Sequence, residues 1–217
     1  MLSIENVSYR YKNSDVDVLK NINAYFEAGK VYAIVGPSGS GKTTLLSIMA
    51  GLDVPHSGKV TIDGDDLAGM DLDRYRRECV STIFQAFQLF PLLTVLENVC
   101  FPLENNGRSR KEARQRAKEL LESVGISEEK HKRYPSNLSG GEQQRVAIAR
   151  ALASGARVIL ADEPTGNLDV ENGNAVVNLL KHLAHSEGYA VIIVTHNLEI
   201  AEVSDVVYRM KDGAFEV

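Results

Sequence analysis

Residues 31–50 read VYAIVGPSGSGKTTLLSIMA, and the change of character at Gly36 decides the fold. Val31–Val35 is a short apolar run rich in β-branched residues, the pattern of a strand covered on both faces in a parallel sheet. A glycine- and serine-rich loop follows, and from Thr43 onward Leu45, Leu46, Ile48 and Met49 recur at helical spacing. Gly36, Gly41, Lys42 and Thr43 thereby satisfy G-x-x-x-x-G-K-[ST] in the strand–loop–helix setting that the motif needs.

The residue types follow from the chemistry of a polyphosphate. Consecutive N–H groups of such a loop converge on an anion, and glycine lets the backbone approach closely. A helix beginning near Lys42 adds the positive end of its dipole. The stretch Gly36-Pro37-Ser38-Gly39-Ser40-Gly41-Lys42-Thr43-Thr44 is therefore expected to cradle phosphates, with Lys42 on the β and γ groups and the Thr43 hydroxyl on Mg²⁺. A glycine-rich turn would match by accident in about one chain in a hundred of this length, and fewer still carry the flanking strand and helix. Nucleotide binding is the reading.

Composition narrows the rest. At 217 residues, 44% hydrophobic and 24% charged, the chain can build one substantial α/β domain with a small inserted lobe. No apolar run approaches the ~20 residues that span a bilayer. The opening MLSIENVSYR lacks the apolar core of a signal peptide, so an intracellular chain is expected. A net charge of −5 argues against nucleic acid as the main partner, and none is expected. Cys79 and Cys100 have neither disulfide-framework nor metal spacing and read as buried free thiols.

In chain order, residues 2–11 read as a strand carrying Ile4, Val7, Tyr9 and Tyr11, followed by a loop at Asn13, Ser14 and Asp15 and a second strand over Val18–Phe26. His56-Ser57-Gly58 turns into a strand at Lys59–Ile62, closed by Asp63-Gly64, so the core has an antiparallel β flank. Val80–Phe84 is a further strand, ending at Gln85. A short helix is expected to begin at Thr94–Val99 and to be broken by Pro102. Ser109, with Glu112 completing a capping box, opens a clearer helix ended by Gly125. These segments read as a helical lobe inserted into the core.

Two later stretches carry chemistry. Leu138-Ser139-Gly140-Gly141-Glu142 opens a helix, and Ser139 and Glu142 again stand at capping-box spacing. Capping accounts for the serine and the glutamate but not for two glycines in the first turn, each costing roughly 1 kcal/mol against alanine. Glycine there implies close approach to the backbone, and a helix N-terminus is a second anion site. In RVILADE, an apolar strand at 157–161 runs into Asp162 and Glu163, which suits one carboxylate holding Mg²⁺ and the next orienting a water, although acids at a strand end can also be plain surface. The following helix is expected to bury Ala175, Val176, Leu179, Leu180 and Leu183.

Ala190–Val194 reads as another buried strand, ending at Thr195-His196, and the last 12 residues as a hairpin turning at Lys211-Asp212-Gly213. In α/β sheets the C-terminal strand ends border the ligand crevice, which singles out His196. His56, His131, His182 and His185 fall in polar settings and carry no functional reading.

Taken together, the phosphate loop, Gln85, LSGGE, ILADEPTGNLD and His196 resemble the ATP-binding subunit of an ABC transporter over essentially the whole chain. Within that superfamily GPSGSGKTTLL, FPLLTVLENV and DEPTGNLD are most similar to the macrolide-exporter, lipoprotein-release and cell-division group, the MacB, LolD and FtsE types. The resemblance implies an α/β fold: a P-loop NTPase (RecA-like) core with an antiparallel β flank and an inserted helical subdomain. It makes residues 1–217 a single domain, with the core at about 1–85 and 156–217 and the helical subdomain at about 86–155.

The same resemblance assigns roles. Tyr11 would stack on adenine, with Tyr9 as the competitor; Gln85 would bind Mg²⁺ or the attacking water and sense the membrane partner. Ser139, Gly140 and Gly141, with Glu142 where the commonest signature has glutamine, would contact the γ-phosphate of ATP held by a second copy. Asp162 would support Mg²⁺, Glu163 would be the catalytic base, Asp169 would belong to the dimer-contact loop, and His196 would touch the γ-phosphate. The implied partners are a second copy, joined in an ATP-dependent homodimer, and an integral membrane permease at the cytoplasmic face of the inner membrane. A non-transporting cassette serving cell-wall or peptide-sensing signalling would use the same residues. A DNA ATPase of the SMC type would need a long coiled coil, and only about 95 residues without heptads separate Lys42 from Ser139.

Overall fold

Strand β1 (Leu2–Tyr9) pairs antiparallel with β2 (Leu19–Phe26), setting Leu2 opposite Phe26 and Tyr9 opposite Leu19. The computed structural model describes residues 1–12 and 14–216. Asn13 in the first expected loop and Val217 in the expected C-terminal hairpin lie outside the described residues. Strand β1 ends at Tyr9, so Tyr11 stands beyond the strand that was expected to include it. After β3 (Val31–Val35) and helix α1 (Lys42–Met49), β4 (Ser57–Ile62) and β5 (Asp65–Asp66) complete a four-stranded flank ordered β2-β1-β4-β5. Helix α2 (Leu72–Glu78), capped by the Asp71 carboxylate, leads into β6 (Val80–Phe84), which matches its expected range.

Three helices follow: α3 (Val95–Asn105), α4 (Arg110–Ser123) and α5 (Gly140–Ala153). Each opens with a capping box, Thr94 with Glu97, Ser109 with Glu112 and Ser139 with Glu142. Helix α3 departs from expectation, because it continues through Pro102 to Asn105. Proline cannot donate to the carbonyl of Asn98, but burial of Val99, Cys100 and Leu103 in a core shared with α4 and α5 holds the helix together past it.

The chain then runs through β7 (Val158–Asp162), α6 (Val170–Glu187), β8 (Ala190–Thr195), α7 (Leu198–Glu202), β9 (Val206–Lys211) and β10 (Ala214–Phe215). On α6 the buried stripe is Gly173, Val176, Leu180, Leu183 and Ala184; Ala175, expected within it, is exposed because the stripe advances by three and four residues and passes it by. The second sheet is ordered β10-β9-β3-β8-β7-β6, with β6, β7, β8, β3 and β9 parallel and β10 returning antiparallel on β9.

Side chains of the central strands alternate between two cores. Val31, Ile159, Val191 and Ile193 face the helices α3–α6, whereas Tyr32, Ile34, Leu160 and Ile192 face α1 and the antiparallel flank. Burial on both faces explains the unbroken apolar runs, each Val, Leu or Ile contributing about 1.5–3 kcal/mol. The register sets Phe84 opposite Asp162, Asp162 opposite Val194, and Val35 opposite Thr195. Gln85, Glu163, His196 and Gly36, each one residue further along, therefore emerge side by side at one edge.

Two smaller expectations are corrected by burial. His131, expected in a polar setting, is 5% exposed, with its Nε2 3.3 Å from the Ile126 carbonyl and its own carbonyl accepting the Leu96 N–H at 3.0 Å. It is drawn inside because the turn carrying it satisfies the first N–H groups of α3. Of the two cysteines, Cys100 is buried as expected, while Cys79 is only half-buried, and both are free.

Candidate nucleotide site

Gly41 caps α1 with φ 104°, a conformation open to glycine and costly to other residues. Gly36 is required for a different reason: a Cβ there would stand 2.1 Å from the Met210 carbonyl oxygen, so β9 presses directly on the loop. Pro37, Ser38 and Gly39 form its exposed crest, while Ser40 is buried beneath, its hydroxyl without a hydrogen-bond partner among the described residues. Lys42 is 8% exposed and folds back over the loop, its Nζ donating to the carbonyls of Gly36 at 2.8 Å and Pro37 at 2.9 Å. Lys42, Thr43, Asp162 and Glu163 line one cleft of about 320 Å³, together with Ser38, Gly39, Gly41 and Thr44.

The two carboxylates have different surroundings. Burial pushes the Asp162 carboxyl above the ordinary range, neighbouring Glu163 pushes it further, and Lys42 opposes both. Glu163 stands at φ 46°, a left-handed conformation costing about 1–2 kcal/mol, and its N–H is held at 2.9 Å by the Val194 carbonyl. Its carboxylate is gripped from β8 and the residue beyond it: Thr195 Oγ1 donates to Oε2 at 3.0 Å, and the His196 N–H donates to Oε1 at 3.1 Å. The His196 ring Nδ1 lies 2.7 Å from that same oxygen.

Tyr11 and Tyr9 separate cleanly. Tyr11 is 49% exposed and its hydroxyl lies 2.9 Å from Thr44 Oγ1, beside the phosphate loop. Tyr9 is 9% exposed, donates to Asp53 at 3.2 Å and packs T-shaped against Tyr11, and its burial leaves little ring surface open to a base. Gln85 is exposed and lies against the segment after Glu163, its Nε2 3.3 Å from Asn167 Oδ1 while its carbonyl accepts from Asn167 Nδ2 at 3.0 Å.

Ser139–Glu142 and Asp169 stand apart from the residues that line the cleft. Ser139 is exposed, and Asp169 caps α6 by accepting from the N–H and Nδ2 of Asn172 at 2.9 and 2.8 Å, which holds its carboxyl below the usual range. The glycine pair has two explanations. A Cβ on Gly141 would meet Asn172 Oδ1 at 2.1 Å, so packing within the chain demands that glycine. A Cβ on Gly140 would find nothing closer than Leu168 at 3.4 Å, and the chain itself leaves that position open.

Several contributors carry no local signal. Thr195, Asn167 and Gln144, whose buried amide donates to the Pro164 carbonyl at 2.8 Å, act through strand ends and loops far away in sequence. Asn98 is fully buried and donates to the carbonyls of Phe90, Leu93 and Thr94, pinning the segment that follows Gln85.

Residues 19–166 match the family model described as ABC transporter. The ABC transporter ATP-binding protein YclH of Bacillus subtilis is 43% identical across all of this chain and 96% of that relative. The macrolide export ATP-binding/permease protein MacB 2 of Yersinia pestis is 47% identical over 98% of this chain, which spans 32% of MacB's length. Among solved structures, the ATP-binding cassette MJ0796, a dimer in a post-hydrolysis state bound to ADP and Pi, superposes with a TM-score of 0.90 at 41% identity, covering 100% of this chain and 97% of that one. An ATP-binding protein so named in Methanocaldococcus jannaschii is 43% identical.

Proposed function

We propose, from the premise that this chain belongs to the ABC transporter family as an ATP-binding, ATP-hydrolysing subunit, that two copies close over two ATP molecules and drive a separate membrane permease. The observation that carries this reading is the cleft where Lys42 and Thr43 of α1 meet Asp162 and Glu163 of β7. In it Lys42 and the N–H groups from Gly36 to Thr44 hold the phosphates, and Tyr11 stacks on adenine. Ser139, Gly140 and Gly141 meet the γ-phosphate of the ATP held by the other copy, and the Asp169 loop joins the contact between copies. The dimeric ADP- and Pi-bound relative and the open Gly140 position support that arrangement.

The oxygen donors present suit Mg²⁺, which takes few protein ligands and keeps several waters: the Thr43 hydroxyl and Asp162 carboxylate flank the cleft, and Gln85, which stands outside that lining against Asn167, would be the third group. Bound there, it would offset charge on the β- and γ-phosphates. Glu163 takes a proton from water as the water oxygen attacks the γ-phosphorus and the bond to the ADP oxygen breaks. His196, anchored to Glu163, orients that carboxylate and faces the γ-phosphate. Loss of the γ-phosphate removes what joins the copies, and they part.

Among the described residues no helix is long and apolar enough to cross a membrane. The work is delivered to a permease, in an export-type system at the cytoplasmic face, with residues 86–155 as the helical subdomain between two parts of the core at 1–85 and 156–217. MacB, named as an ATP-binding/permease protein, supports the pairing. The test is Glu163→Gln: it should bind ATP, form a stable ATP-dependent dimer and turn over about 10³-fold more slowly. Rapid hydrolysis by that variant would show that another group is the base. Purified with ATP from detergent-solubilised membranes, it should bring down a permease.

A further inference from the structure

Helix α5 begins with a carboxylate beside the N–H groups that the proposed function assigns to an anion. Gly140 and Gly141 are its first two residues, and their N–H groups have no carbonyl a turn earlier within the helix. Glu142 follows in the same turn, its side chain 17% exposed, with Oε2 accepting the Ser139 N–H at 2.8 Å. A carboxylate in that place stabilises the helix end. It also opposes a second anion brought to the same turn, the more so when closure of two copies strips the water away.

Lys130 answers that charge. Its Nζ lies 2.5 Å from Glu142 Oε1, and its side chain is only 25% exposed. The backbone around it is fixed, since its N–H donates to the Ser127 carbonyl at 3.0 Å and its carbonyl accepts from Arg133 at 2.9 Å. The Lys130 ammonium and the Ser139 N–H hold the Glu142 carboxyl below its usual range. The chain supplies its own comparison. Glu97 and Glu112 form the same capping box at α3 and α4, and among the described residues neither carries a salt bridge. Arg114 and Arg108 act on Glu97 and Glu112 only from beyond contact distance, so capping alone does not call for a direct ion pair, and of the three boxes the paired ammonium stands at the one where an anion is expected to arrive.

We propose that Lys130 is a positioning residue that neutralises Glu142, so that the Ser139–Gly141 turn accepts the γ-phosphate of ATP bound by a second copy. This rests on the cross-copy reading above. The test follows ATP-dependent dimerisation of the full chain carrying Glu163→Gln, by sedimentation velocity across an ATP titration. In that parent, Lys130→Gln should raise the ATP midpoint about tenfold, and Lys130→Arg should restore it. Adding Glu142→Gln to Lys130→Gln should return the midpoint to within about twofold of the parent, because the uncompensated charge is gone. Glu142→Gln alone, which keeps a capping side chain, should leave the midpoint unchanged or lower it.

A purely structural tie gives the opposite pattern: Glu142→Gln alone would weaken dimerisation as Lys130→Gln does, and the double variant would not recover. Either result overturns the inference, as would a parent-like midpoint for Lys130→Gln. Should Lys130→Gln fail to fold, the single Glu142→Gln variant decides by the sign of its shift. A parent that forms no dimer with ATP would remove the cross-copy reading and this inference with it, whereas a dimerising parent with the structural pattern removes the inference alone.

Discussion

His196 binds one oxygen of Glu163 twice, through its backbone N–H at 3.1 Å and its ring Nδ1 at 2.7 Å. The ring contact requires the proton on Nδ1, which leaves Nε2 facing outward on a side chain that is 73% exposed. With Thr195 on the other oxygen, the carboxylate is held by two neighbouring residues at one strand end.

His196→Ala should therefore lower kcat on the order of 10²-fold, the usual scale for disturbing a positioned base, while shifting the affinity for ATP far less. Steady-state ATPase kinetics beside equilibrium nucleotide binding give the split. Equal loss in both would show that His196 serves binding and not the orientation of Glu163.

Asp162 carries a stability cost. Burial raises its carboxyl above the ordinary value, so the folded form holds its proton to higher pH than the unfolded chain does. The folded state then loses stability as pH rises from the ordinary carboxylate range through the raised value. Asp162→Asn should raise the melting temperature of the nucleotide-free protein near neutral pH by about 1–4 °C and flatten its fall with pH. The same variant should lose most Mg²⁺-dependent turnover. A lowered melting temperature would contradict the assignment of Asp162 as a half-buried acid whose charge Lys42 only partly offsets.

The tyrosines should separate by readout. Tyr11→Ala should weaken nucleotide binding by about 1–3 kcal/mol, the range of base–aromatic stacking, with little change in melting temperature. Tyr9→Phe loses the hydrogen bond to Asp53 and should cost about 1 kcal/mol of stability with binding intact. The reverse pattern in calorimetry and thermal melts would move the adenine to Tyr9.

Gly141→Ala should destabilise the fold by about 1–3 kcal/mol, because its Cβ collides with Asn172, and Asn172→Ala should relieve most of that cost. Gly140→Ala should leave thermal stability within about 1 kcal/mol, yet impair ATP-dependent dimerisation. Chemical denaturation of these variants, beside ATP-dependent dimerisation of Gly140→Ala, separates packing within the chain from a demand made by a bound anion.

Much of this protein was legible because its signals are local. Residues 31–50 announce a strand, a phosphate loop and a helix within a single stretch, and the capping boxes at Ser109 and Ser139 need only four residues each. Strands β3, β7 and β8 were legible as apolar runs, since burial on both faces keeps charged and hydroxyl-bearing aliphatic residues to their last positions. Pairing acids, amides and histidines across the sheet is another matter. Glu163 reaches His196 and Gln85 reaches Asn167 only through strand order and register, which join residues 33 and 82 positions apart.

The same boundary explains the corrections. Pro102 breaks a helix in isolation, and only the packing of Val99 and Leu103 against other helices carries α3 past it. His131 looks merely polar until its turn is found capping α3, and Gly141 has only a ligand's approach to explain it until Asn172 is found beside it as a second reason. Propensity, capping and the phosphate loop were set by the sequence itself, because each depends on neighbours within a turn or two. The meeting of Lys42, Thr43, Asp162 and Glu163 in one cleft, with His196 held on Glu163, was decided by the fold alone, because hydrophobic burial of five parallel strands, blind to those polar residues, brings their ends to one edge.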